Sequence, residues 1–204
     1  MSDENNRALV PVSGSSSTGG FIDQSGSNAG GDIVARDKIE FHYHAGPAPS
    51  GVVDKLVSKL QSEIKQNIRV EHTVEALANY QLRRSIDGID GLEAKLMAAN
   101  RQQEVWDALD KKEQFAKLLQ KWSLYASAQE IFAYLLAKAE YEFNHFIHPQ
   151  IPSLPVVEVD RMVHDRIVQT TINECGVDVF VLNHGTAMGM LYWLAEQCFI
   201  RWHK

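Results

Sequence analysis

Glu142 and His145 stand three apart in a helical stretch, the Glu-x-x-His spacing that supplies two ligands to di-iron helical bundles. At about 100° per residue the apolar stripe of that helix centres between Ala139 and Phe132. Glu142 then falls at its edge, while His145 and His148 point to the far side. A di-iron site needs its ligands inward and a second such pair, and the sequence supplies neither. His42 and His44 share one side of an alternating segment, where a metal requires several chains to stack; solvated edge residues are the simpler reading. The expectation is no metal and no cofactor.

Other chemistries lack their surroundings. Cys175 and Cys198 are far apart, without Cys-x-x-Cys spacing or an activating histidine nearby, so they read as reduced, buried thiols. The glycine-rich GSSSTGG lacks the lysine and the following helix of a phosphate-binding loop. SIDGIDG lacks the length and acidic ligands of a calcium loop and reads as a turn. Arg83 and Arg84 are a possible nucleic-acid contact, weighed against ordinary salt bridging on an acidic chain. No catalytic residue is assigned, and the protein is expected not to be an enzyme.

The elements that position these residues are mostly helices. The sequence predicts an all-α fold, a multi-helix domain over 50–204, preceded by a flexible Gly/Ser tail at 1–29 and one isolated strand segment at 30–46. In that segment Ile33, Ala35, Ile39, Phe41 and Tyr43 fall on odd positions and charged or imidazole side chains on even ones, the period of a half-buried strand. Asp32 leads in, Asp37 interrupts the odd face, and Pro47 and Pro49 end it. Such a strand leaves backbone groups open for pairing, so Asp32, Ile33, Ala35, Asp37, Ile39, Phe41 and Tyr43 form the expected strand interaction motif and a route to a homo-oligomer.

Beyond it, Val52 to Ile64 and Val70 to Tyr80 carry helical periods. Asn100 with Gln103, and Ser127 with Glu130, have capping-box spacing and predict helices over about 101–122 and 128–148. A proline-broken linker precedes a helix from about Asp160 to Cys175. VDVFVL reads equally as a short strand or an apolar loop. A last helix, about Thr186 to Phe199, is apolar on nearly every side and is expected at the centre or at an interface. Trp106, Trp122 and Trp193 are expected in the core. Trp202 lies beyond the last helix, so CFIRWHK is either the closing seam of the domain or part of a partner surface.

Length and composition set outer limits. The chain has 204 residues, 45% of them hydrophobic, enough for one cored domain with a tail. A net charge of -6 weighs against a protein that lives on phosphate backbones, because nonspecific nucleic-acid binding is mainly electrostatic. No segment approaches about 18 uninterrupted apolar residues and the first residues have no apolar export core. A cytoplasmic protein that does not meet the membrane is expected.

LEAKLMAANR (92–101), EQFAKLLQKWSLYASAQEIFAYLLAKAE (113–140) and GMLYWLAEQCFIRWHK (189–204) resemble the C-terminal domain of the bacterial ABC-three-component systems. GGDIVARDKI resembles the glycine-aspartate strand motif that often precedes it. The resemblance implies a role in antiphage conflict, with the helical domain coupling an ABC or SMC-like ATPase to an effector. Residues 1–29 are too few to fold into an effector domain and the chain has no Walker motif, so both would be separate partners. The leading expectation is a non-enzymatic adaptor whose partner interface is Met190, Tyr192, Trp193, Arg201 and Trp202. A nucleic-acid or nucleotide sensor, a cryptic metalloenzyme and a housekeeping helical homo-oligomer remain as competing readings.

Overall fold

The computed structural model describes residues 51–84, 88–175, 180 and 182–204. The tail at 1–29, the strand motif with Asp32, Ile33, Ala35, Asp37, Ile39, Phe41 and Tyr43, and most of VDVFVL lie outside the described residues. All regular structure among the described residues is helical, in agreement with the expected all-α domain.

Helices α1 (Val52–Lys65) and α2 (Glu75–Gln81) lead to α3 (Leu92–Ala98). Gly91 enters α3 at φ 84°, a conformation that L side chains adopt only at a cost, and the Asp-Gly stretch turns the chain as its residue types require. A 3₁₀ turn, Gln102–Glu104, opens α4 (Val105–Trp122), and α5 (Ala126–Glu142) follows. Helix α5 runs directly into a π turn, Phe143–Ile147, and a 3₁₀ turn, His148–Gln150. Helix α6 (Val156–Val163) likewise passes through a π turn, His164–Val168, into α7 (Gln169–Cys175). Last comes α8 (His184–Glu196).

Helix α8 occupies the interior, packed along α4. Met190, Leu191, Leu194 and Ala195 are all buried, as a helix without a polar face must be in water. The two backbones approach so closely that a Cβ on Gly189 would lie 2.1 Å from the Lys111 carbonyl oxygen. Glycine is therefore required there by space. Around this seam Phe115 meets Phe132 edge-on at 6.0 Å, and Phe180 joins Trp122 at 5.2 Å and Phe132 at 4.9 Å. Each fully buried aromatic or leucine side chain contributes about 1.5–3 kcal/mol relative to exposure.

Three local expectations are corrected by tertiary contacts. Asn100 does not cap α4: it stands at φ 58°, in the left-handed region just past α3, a place where asparagine is tolerated. Ser127 is not an N-cap either, because α5 already begins at Ala126. Its backbone N–H and hydroxyl both donate to the buried Glu63 carboxylate of α1, at 3.2 and 2.7 Å. A carboxylate from another helix thus serves the start of α5, where negative charge is favoured. Trp106 is not a core residue; it is 84% exposed. The buried stripe of α4 runs through Ala108, Phe115, Leu119 and Trp122, and position 106 lies on the opposite side of the wheel.

Helix α8 also starts two residues earlier than its apolar pattern suggests. Asn183 Oδ1 accepts from the Thr186 N–H and Thr186 Oγ1 accepts from the Asn183 N–H, both at 2.9 Å. This reciprocal cap was written in the sequence as Asn-x-x-Thr.

Candidate partner-docking site

The residues after α8 have no helix of their own. Helix α8 ends with Cys198 in the left-handed conformation at φ 63°. The Cys198 N–H donates to the Ala195 carbonyl at 3.1 Å and the Phe199 N–H to the Leu194 carbonyl at 2.9 Å, the two bonds of a Schellman ending. Glycine usually fills that position, and a side chain there costs on the order of 1–2 kcal/mol. Neighbouring elements supply what holds it.

Lys95, on α3, is 1% exposed and donates from Nζ to the Ala195 carbonyl at 2.7 Å and the Ile200 carbonyl at 3.2 Å. A cation at orphan helix carbonyls meets both their charge and their hydrogen-bonding need. In the other direction Glu196 accepts from the Leu92 N–H at 3.1 Å and from Lys112 at 3.3 Å. Burial alone would raise the Glu196 carboxyl, but the Leu92 amide and Lys112 outweigh it and hold it below the usual range. The Asn144 side-chain amide donates to the Phe199 carbonyl at 3.1 Å, and the Arg84 N–H to the Gln197 carbonyl at 3.0 Å.

Beyond Phe199, Trp202 lies against Phe143, with ring centroids 4.9 Å apart, and against Tyr192 at 6.1 Å. The Arg101 guanidinium sits 4.8 Å above the Trp202 ring. Arg101 pairs in turn with Glu104, at 2.9 Å, and with Asp160. Burial raises the Glu104 carboxyl above its ordinary value despite Arg101. Burial likewise raises the Tyr192 hydroxyl.

These positions revise the expected partner interface. Met190, Tyr192 and Trp202 are interior side chains, and Trp193 and Arg201 are half-buried beside them. CFIRWHK is the closing seam of the domain. The possible nucleic-acid contacts are also engaged within the chain. Arg84 pairs with Glu140 at 3.3 Å and lies 3.9 Å over the Phe199 ring. The Arg83 guanidinium lies beside Gly91 and acts on Glu196. The Glu-x-x-His residues do not converge: Glu142 accepts from Arg166 Nε at 3.0 Å, while His145 stacks on Tyr141 at 4.3 Å.

Two surface features remain, and neither was visible in the sequence. One is an aromatic patch over the paired π turns, where Tyr141 meets Phe146 edge-on at 5.9 Å and the Arg166 guanidinium covers Phe146 at 4.2 Å. Exposed aromatic and arginine groups of this kind are enriched at protein interfaces. The other is a cleft of about 570 Å³ between the end of α3, the proline linker, the first turn of α6 and the segment after α8.

The profile of one protein family, C-terminal domain 9 of the ABC-three component (ABC-3C) systems, matches residues 91–202. The chain belongs to this family. ABC-3C systems are antiphage defence systems, which agrees with the resemblance carried by the sequence. No curated protein and no solved structure matches the chain. The matched span opens at Gly91, the residue that enters α3, and closes at Trp202. Lys95 and Glu196 bind the two ends of the ABC-3C domain to each other, and the cleft lies where they meet. Helices α1 and α2 precede the matched span and are joined to it through Glu63 and Ser127 and through Gln129, whose side chain accepts from the Val74 N–H at 2.6 Å. No helix among the described residues is long and apolar enough to cross a membrane.

Proposed function

We propose that this chain is a non-enzymatic adaptor of an ABC-3C antiphage system, working in the cytoplasm. Its helical domain docks on an ABC or SMC-like ATPase subunit and on an effector subunit, while the strand motif at 30–46 pairs between copies. Family membership over 91–202 carries this reading. The site geometry supports it, since the chemistry-bearing side chains of the domain serve one another: Lys95 two carbonyls, Glu142 Arg166, and Arg84 Glu140.

The adaptor reading is tested by coexpression with the ATPase encoded beside it, followed by affinity capture and light scattering. The expected result is a stable complex with the ATPase and a multimer of the full chain that falls to a smaller species when residues 1–48 are removed. Capture of no ATPase overturns the docking role, and an unchanged mass after truncation overturns strand pairing.

A further inference from the structure

The cleft of about 570 Å³ has a one-sided chemistry. Its walls are apolar, formed by Ala98 and Ala99, Ile151, Leu154, Val156 and Val159. Its polar groups are donors or cations: Asn100, Arg101, Trp202, His203 and Lys204 line it, and no aspartate or glutamate does. This occurs on a chain whose net charge is -6.

Three donors there lack a full complement of acceptors. Helix α6 begins at Pro155 with no side-chain cap, so N–H groups of its first turn are left at the cleft edge, where the helix dipole favours an anion. Trp202 is 2% exposed and its indole N–H has no acceptor among the described residues, an omission that ordinarily costs about 1–3 kcal/mol. Lys204 is exposed and has no ion-pair partner among the described residues. Arg101 differs, because Glu104 and Asp160 already meet its charge; it steadies the Trp202 ring. Val156, 48% exposed at the mouth, offers an apolar landing surface.

From this we infer that the cleft is a docking site for an extended peptide segment of a partner subunit, one that places an aliphatic side chain between α3 and α6 and a neighbouring carboxylate at the α6 first turn and Lys204. The segment supplies the acceptors and negative charge that the cleft lacks and covers its apolar wall. The inference deepens the adaptor reading and rests on it for the origin of the peptide.

The test selects a phage-displayed library of random twelve-residue peptides on the full chain. Enriched peptides are then titrated by fluorescence anisotropy against wild type, Val156→Arg and Lys204→Glu, with thermal melts confirming that both variants fold. Enrichment of sequences pairing aliphatic with acidic residues is expected, with binding weakened about tenfold or more by each substitution. Failure of any sequence to enrich, enrichment of basic sequences, or wild-type affinity in both variants overturns the inference. The same variants are carried through ATPase capture. If wild type and both variants retain the ATPase while no peptide binds, the adaptor stands and the cleft falls; if wild type retains no ATPase, peptide binding still decides the cleft.

Discussion

Helix α8 meets α4 through surfaces reduced to backbone, with Gly189 against the Lys111 carbonyl and Phe115 packed beside it. The residues that follow, Gln197 to His203, are held instead by side chains reaching in from elsewhere: Lys95 from α3, Asn144 from the π turn after α5, and Arg84 and Arg101 from connecting segments. The difference follows from what each stretch can satisfy alone. A helix meets its own backbone hydrogen bonds and needs only shape to be placed, whereas an irregular buried segment must borrow a partner for each buried polar group. Shape therefore positions the centre of the domain, and charge positions its closing seam.

This contrast can be broken most severely at Gly189. Gly189→Ala puts a methyl carbon where a backbone oxygen stands, and neither helix can yield without moving the whole seam. A loss of about 3 kcal/mol or more is expected, seen as insoluble protein or a sharply lowered urea midpoint. A variant as stable as wild type would show that α4 and α8 slide freely.

Lys95→Met probes the other side of the comparison. It keeps the buried stem and removes the ammonium group, leaving the Ala195 and Ile200 carbonyls without their donor. A destabilisation of about 1–3 kcal/mol is expected in urea unfolding, with no change in helix content. An unchanged midpoint would mean that the cost of burying the ammonium group cancels its two hydrogen bonds.

The smallest effect concerns pH. Glu196 is held below its ordinary value of 4.5 in the fold, so its ionised form stabilises the native state above that pH. As pH falls from about 4.5 through the lower folded value, that contribution is lost. Glu196→Gln should shallow the acid side of a stability-versus-pH curve below 4.5. An unaltered acid limb would remove Glu196 from the charge-held seam.

Helices with one apolar stripe were legible in the sequence because period alone defines them: α1 through Leu60, α4 through Phe115 and α5 through Phe132. The burial of α8 was also legible, since it has no polar face to offer solvent. Less could be read where a residue answers to a distant partner. Ser127 carries the spacing of a cap and serves Glu63 instead, and Asn100 ends one helix where its spacing suggested the start of another. Trp106 was recoverable from a wheel drawn on α4, which puts it opposite Phe115. The family motif was legible in GMLYWLAEQCFIRWHK, but its aromatic residues were assigned outward and prove to be interior. The cleft joins residues 98–101, 151–159 and 202–204, and no local pattern brings those stretches together.

The two π turns, Phe143–Ile147 and His164–Val168, bear on how this chain tolerates length changes. A π turn is a helix carrying an extra residue, so deleting a residue from either turn would restore ordinary helical winding but rotate everything beyond it by about 100° relative to the preceding helix. Arg166, inside one turn, is bonded to Glu142 just ahead of the other and covers Phe146 within it. A one-residue deletion in either turn would pull that bridge out of phase, and a matching deletion in the other would be the natural site of compensation. Among related chains, gain or loss of these two residues should therefore be inherited together.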